Sequence, residues 1–159
     1  MSVEPFQIYQ VAGPEAGTLA LCRQPETDAD FASIAKWKPH VVVTLTEEDE
    51  FPSMANSLPQ QFLQAPYDWL HLPITDYGIP DTKDRAIWLQ TLAQLHKSLD
   101  ENSRILIHCK GGNGRSGMLV LKLLCLQGED GEAALARIRA VRIKAIETDA
   151  QFKWATIPL

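Results

Sequence analysis

Residues 105–117, Ile-Leu-Ile-His-Cys-Lys-Gly-Gly-Asn-Gly-Arg-Ser-Gly, constrain the fold of this chain more than any other stretch. The apolar run 105–108 reads as a buried strand, and 118–126 is apolar enough for a core helix. A glycine-rich loop carrying one cysteine and one arginine joins them. A strand feeding through such a loop into a helix belongs to an α/β domain. The expected architecture is a three-layer fold with a mainly parallel sheet of four or five strands, helices on both faces, and the functional site at the C-terminal edge of strand 104–108.

The loop-to-helix junction is an anion site. First-turn N–H groups lack intrahelical partners, and the helix dipole adds partial positive charge there. Gly111, Gly112 and Gly114 allow positive φ, so that the N–H groups of Lys110, Gly111, Gly112, Asn113 and Gly114 can turn inward around a phosphate. A thiolate at Cys109 is favoured over the thiol by the same field, which makes it a nucleophile. Arg115 offers a planar fork for two phosphoryl oxygens, which lysine cannot copy. Ser116 can hydrogen-bond the sulfur and help it leave, and His108 can orient the cysteine.

The run His108-Cys109-x-x-Gly112-x-x-Arg115-Ser116-Gly117 resembles the signature of cysteine-dependent protein tyrosine and dual-specificity phosphatases. Its wording is especially similar to the cyclin-dependent-kinase-associated phosphatase group. The Cys-x5-Arg spacing alone is shared with rhodaneses and arsenate reductases; the added His, Gly and Ser make it specific. The resemblance implies a two-step reaction without metal or cofactor, in which Cys109 attacks phosphorus and water then hydrolyses a phosphocysteine. It also implies a general acid on a loop after a strand ending in Pro-Ile. Asp76, in 73–81, matches that acid. Asp81 is its rival, read instead as the N-cap of a helix beginning near Thr82.

The resemblance spans roughly residues 69–154, including a pattern of Arg-x-x-Arg-x-x-Ala-Ile-x-Thr-x-x-Gln over 139–151, from which Ile143 and Lys144 depart. In it Gln151 lies near the site and helps to place the hydrolytic water. Equally open is a helix capped by Thr148 with Gln151 as its N3 partner. The expected substrate is a phosphorylated protein or small phosphomonoester, phosphotyrosine first, with phosphoserine and phosphothreonine open. An inositol-phosphate substrate stays open because Lys110 matches a phosphoinositide phosphatase group, although Asn113 stands where that group has a second basic residue. A phosphopeptide-binding module without turnover is the alternative of another class.

With 159 residues, 45% of them apolar, the chain is expected to be one domain with a substantial core. A net charge of −5 without a basic stripe argues against nucleic acid and anionic membrane as partners. Cys22, Cys109 and Cys125 are few and odd in number, so disulfides are not expected. Residues 1–5 carry neither a basic patch nor an apolar segment, so no signal peptide is expected. The expectation is a cytoplasmic monomer.

Further strands are expected at 6–11, Thr18–Cys22, 41–45 and 69–74, with a turn at Gly13, Pro14 and Gly17. A helix capped by Asp30 carries Phe31, Ile34, Ala35 and Trp37, and another covers residues 58–64. Helix 82–99 presents Ile87, Trp88, Leu89, Leu92, Leu95 and Leu99 inward. Helix 131–142 buries Ala134, Leu135, Ile138 and Val141 and solvates Arg137, Arg139 and Arg142. Gly128 reads as the C′ residue ending the helix after the cysteine loop, and Cys22 and Cys125 read as core. The acidic run Glu47-Glu48-Asp49-Glu50 reads as solvated. His40, His71 and His96 have no ligand spacing, so no metal site is expected.

Overall fold

The structure, a computed structural model, describes residues 4–12 and 17–159. Five strands, β1 (Tyr9–Val11), β2 (Thr18–Cys22), β3 (Val41–Thr44), β4 (Asp68–His71) and β5 (Arg104–His108), form one sheet in the order β1-β2-β5-β3-β4. Only β1 runs antiparallel, against β2. The strand expected at 6–11 is shorter, with Phe6 and Ile8 packing below it instead. Gly13 and Pro14 of the expected turn lie outside the described residues.

β5 lies between β2 and β3, with Cys22 and Thr44 both in register with His108. All three strands therefore end at one level, and the cysteine loop emerges from the middle of that edge. The period of two sends Leu19, Leu21, Val41, Val43, Ile105 and Ile107 to one face and Ala20, Cys22, Val42 and Leu106 to the other. Each Leu, Ile or Val among them contributes about 1.5–3 kcal/mol by leaving water.

The first face is covered by α3 (Arg85–Asp100), α4 (Gly114–Leu126), α5 (Gly131–Val141) and α6 (Asp149–Thr156); the second by α1 (Asp28–Trp37) and α2 (Leu58–Gln64). α4 is buried continuously from Gly114 to Leu124, and the one charge in its apolar part, Lys122, donates to Trp154 O and Ile157 O. Gly128, at φ 94°, follows its end as expected. Cys125 is half-buried at the core's edge.

Several expectations shift. Thr27, not Asp30, caps α1, its Oγ1 accepting from Asp30 N at 3.1 Å; the Asp30 carboxylate accepts from Glu26 N and Arg23 instead. Asp81 caps a 3₁₀ turn, Thr82–Asp84, before α3 begins. α3 buries Trp88, Thr91, Leu92, Leu95 and Leu99, while Ile87 and Leu89 are exposed. That stripe runs at i, i+3, i+4, i+7 and i+11, and Ile87 and Leu89 flank it by one residue's rotation of 100°.

Candidate active site

The cysteine loop is held open by its carbonyls. Lys110 O accepts from Gln24 N at 3.1 Å, Gly111 O from Arg142 Nη2 at 2.8 Å, Gly112 O from Arg142 Nε at 3.1 Å, and Asn113 O from Gly117 N and Ile146 N at 3.0 and 3.1 Å. Among the described residues all peptides are trans, and in a trans peptide the C=O and the following N–H point in opposite directions. Carbonyls fixed outward at 110–113 therefore turn the N–H groups of 111–114 into the concavity at the start of α4. Of the three glycines only Gly112 takes positive φ, at 78°. A Cβ there would lie 2.5 Å from Cys22 C and Arg23 N, so both conformation and space demand glycine. Gly111 and Gly114 do not need left-handed backbone; Gly114 is already the first residue of α4.

Cys109 is buried, 3% exposed, where β5 gives way to the loop, with Sγ 3.3 Å from Ser116 Oγ. That hydroxyl donates to the sulfur whenever the sulfur is ionised. Behind it runs a buried relay: Trp69 Nε1–H donates to Thr44 Oγ1 at 2.8 Å, Thr44 Oγ1 lies 2.6 Å from His108 Nε2, and His108 Nδ1 lies 3.1 Å from Cys109 O. The relay is satisfied when the Thr44 hydroxyl donates to Nε2 and Nδ1–H donates to the carbonyl, which assigns the neutral Nδ1–H tautomer. Burial lowers the His108 pKa to about 4, so the ring stays neutral. Its role is to fix the Cys109 peptide, not to carry charge.

Arg115 is 1% exposed, and both terminal nitrogens of its guanidinium are engaged, whereas Nε has no hydrogen-bond partner among the described residues. Nη1 and Nη2 each donate to Glu50 at 2.8 Å, Nη1 also donates to Ile74 O at 2.9 Å, and Nη2 lies 3.3 Å from Asp76 Oδ1. Asp76 is 54% exposed on the loop after β4. The structure thus brings together Cys109, Arg115, Ser116, Asp76 and the loop. Asp81 lies apart as a cap, its Oδ1 accepting from Lys83 N at 3.0 Å.

Residues 15–154 match the family model described as "PTP-SAK: Swiss Army Knife protein, DSP-PTPase phosphatase domain". The chain belongs to this phosphatase domain family. Its structure resembles that of Tk-PTP in the active form, with 27% identity, coverage of 92% of this chain and 91% of that one, and a TM-score of 0.73. The fold is also that of kinase associated phosphatase (KAP) with its catalytic cysteine replaced by serine, at 21% identity, TM-score 0.76 and coverage of 97% and 94%. Two viral proteins assigned as tyrosine phosphatases by inference, 197R of Invertebrate iridescent virus 6 and 067L of Invertebrate iridescent virus 3, are each 32% identical over 62 and 60 residues, or 38% and 37% of this chain. Those matches span only 23% and 25% of the viral proteins' own lengths.

Three residues of this phosphatase domain escaped the sequence reading. Glu50, read as part of a solvated acidic run, grips Arg115. Burial opposes its charge, but the Arg115 hydrogen bonds and the Glu47 N–H prevail and hold its carboxyl below the usual range. Arg142, read as solvated, is buried beneath the loop, pairs with Glu4 and stacks on Tyr9 with its guanidinium carbon 4.5 Å from the ring centroid. Arg137 and Arg139 are not free either: Arg137 pairs with Glu129, and Arg139 donates to Ala145 O and Ile146 O.

The third is Glu147, whose carboxylate lies over Gly114 near Asp76 and Arg115. Its neighbour Gln151 is fully buried. Gln151 N donates to Thr148 Oγ1 at 3.1 Å, as the capping alternative expects, while Oε1 accepts from Glu147 N at 2.8 Å and Nε2 donates to Gly78 O at 3.2 Å. The amide thus ties the Asp76 loop to the 145–148 loop. Among the described residues no group of three or more His, Cys, Asp or Glu side chains is placed to hold a metal ion, and no helix is long and apolar enough to cross a membrane.

Proposed function

We propose that the chain hydrolyses phosphomonoesters on phosphoproteins through a phosphocysteine at Cys109. The observation that carries this reading is the convergence of Cys109, its Ser116 hydroxyl at 3.3 Å, the inward N–H groups of the loop and the Arg115 fork at one concavity. The sulfur attacks phosphorus in line while Asp76 protonates the leaving oxygen. The loop N–H groups and Arg115 balance the charge on the equatorial oxygens, and water then releases phosphate and restores the thiolate.

Phosphoprotein is favoured over inositol phosphate by the charges around the mouth. Lys110 is turned toward Glu50 O at 3.5 Å and Glu26 at 4.0 Å rather than standing free for a second phosphate. A recess of about 700 Å³ beside the Asp76 loop is lined by Glu47, Glu48, Asp81 and Asp84 against one Lys83. Such walls repel a multiply phosphorylated headgroup. Three free cysteines suit a reducing, cytoplasmic setting.

The test compares kcat/KM on phosphotyrosine peptide, phosphothreonine peptide and inositol phosphates, with Cys109→Ser as the blank. The expected order places phosphotyrosine peptide first. A higher value on inositol phosphates overturns the phosphoprotein assignment, and turnover by the blank overturns the cysteine mechanism. Lys110→Ala refines the comparison: equal losses on both substrate classes remove the lipid reading.

A further inference from the structure

We infer that Glu147 is a catalytic residue of the second step, the carboxylate that holds the water attacking the phosphocysteine. The inference rests on the reaction proposed above and concerns only its hydrolytic half. In-line displacement requires this water to arrive opposite Sγ, where the leaving oxygen departed and where Asp76 stands. Some second acceptor must fix the orientation of that water.

Gln151 is fully buried and its amide is held between two loops, Oε1 accepting from Glu147 N and Nε2 donating to Gly78 O. Those two bonds instead fix the loop that carries Glu147. Ile146 beside it takes φ 65°, a left-handed conformation that is strained for a β-branched residue. The strain is offset where Ile146 N donates to Asn113 O at 3.1 Å, tying this loop directly to the phosphate cradle.

The result is a carboxylate placed with unusual closeness to the cradle. Glu147 Oε1 lies 2.0 Å from the point a Cβ on Gly114 would occupy, and Cδ lies 2.9 Å from it, so a larger residue at 114 would push this carboxylate away from its present position. The Gly114 N–H that turns into the concavity also supports the Glu147 charge. A phosphoryl group in the cradle is therefore flanked by Glu147 on the side that carries Asp76. Burial first, then the charge of Asp76, raises the Glu147 pKa against the opposing pull of Arg115 and Gly114, which makes it a stronger hydrogen-bond acceptor than an ordinary exposed glutamate.

The step balances without a further reactant. A water O–H donates to Glu147, its oxygen forms the new P–O bond, and the S–P bond breaks with its electron pair going to Cys109 Sγ. The proton passes to Asp76, which the first step left ionised. Inorganic phosphate leaves, and the Ser116 hydroxyl donates to the restored thiolate.

The test is rapid mixing of the full chain with p-nitrophenyl phosphate, followed by quench in alkaline detergent and measurement of phosphate on Cys109. Wild-type release of nitrophenolate, absent in Cys109→Ser, establishes the underlying reaction, and its absence would overturn both readings. Glu147→Ala is expected to show a burst of about one nitrophenolate per chain, then steady turnover reduced about tenfold or more, with phosphocysteine accumulating. Glu147→Gln retains an acceptor oxygen and is expected to fall between. A merely structural role slows both steps without a burst. Loss of rate with no accumulated phosphocysteine, or turnover within twofold of wild type in both variants, would overturn the assignment.

Discussion

Both terminal nitrogens of Arg115 lie 2.8 Å from the two oxygens of Glu50, fork to fork, although 65 residues separate them in sequence. Arg115 is thereby oriented before any substrate arrives. Preorganisation of this kind avoids reorganisation during the reaction. Glu50→Gln keeps the shape but turns an NH₂ against the guanidinium. It is expected to lower kcat/KM for aryl phosphates about tenfold or more and to destabilise the fold by about 1–3 kcal/mol, Glu50 being partly exposed. Steady-state kinetics and urea denaturation check the two effects separately; unchanged kcat/KM contradicts the orienting role.

Asp76 and Asp81 separate cleanly by substitution. Asp76→Asn is expected to lower kcat by about 10²–10³ on substrates with poor leaving groups, less on activated aryl phosphates, and to flatten the basic limb of the pH–rate profile. Asp81→Asn retains a cap and should cost little. A large loss at Asp81 with none at Asp76 reverses the two roles.

Arg142 serves the loop from behind, through Gly111 O and Gly112 O. Arg142→Lys keeps the charge and loses the geometry that reaches both carbonyls. The inhibition constant for vanadate or phosphate is expected to rise about tenfold, because the N–H groups are no longer held inward. An unchanged constant would show that the loop keeps its shape unaided.

His108 sets an acid limit on stability. Its folded pKa is lowered to about 4 from 6.5 by burial, so the unfolded chain binds the extra proton first. Its contribution is present above about pH 6.5 and is lost as pH falls toward 4, about 3 kcal/mol in all. Denaturation of wild type and His108→Gln across this window should give a shallower pH slope for the variant. Ring-nitrogen NMR should show His108 in the neutral Nδ1–H form at pH 6; a protonated ring there contradicts the relay from Trp69.

The parts legible in sequence were those written locally. Short β-branched runs such as Val41–Thr44 and the glycine loop between an apolar strand and an apolar helix fix their own conformations, so β3, β5, α4 and the turn that joins them follow from neighbours in the chain. Glu50 and Arg142 were illegible because a charged side chain reads as solvated until its partner is known, and their partners lie 65 and 30 residues away. Ile87 and Leu89 were misassigned because a helical stripe broad enough to take Trp88 leaves its flanks undecided by one residue's rotation. Gln151 combined a capping backbone with a side chain bridging two loops, and only folding brings Gly78 to it.

The most direct test of the account is to quench the enzyme in alkaline detergent during turnover of a ³²P-labelled phosphotyrosine peptide and to map the label. The account predicts an alkali-stable, acid-labile phosphate bonded to sulfur on the peptide containing Cys109 and none on any peptide of Cys109→Ser, which also fails to turn over. Label on another residue, or continued hydrolysis by Cys109→Ser, would contradict it.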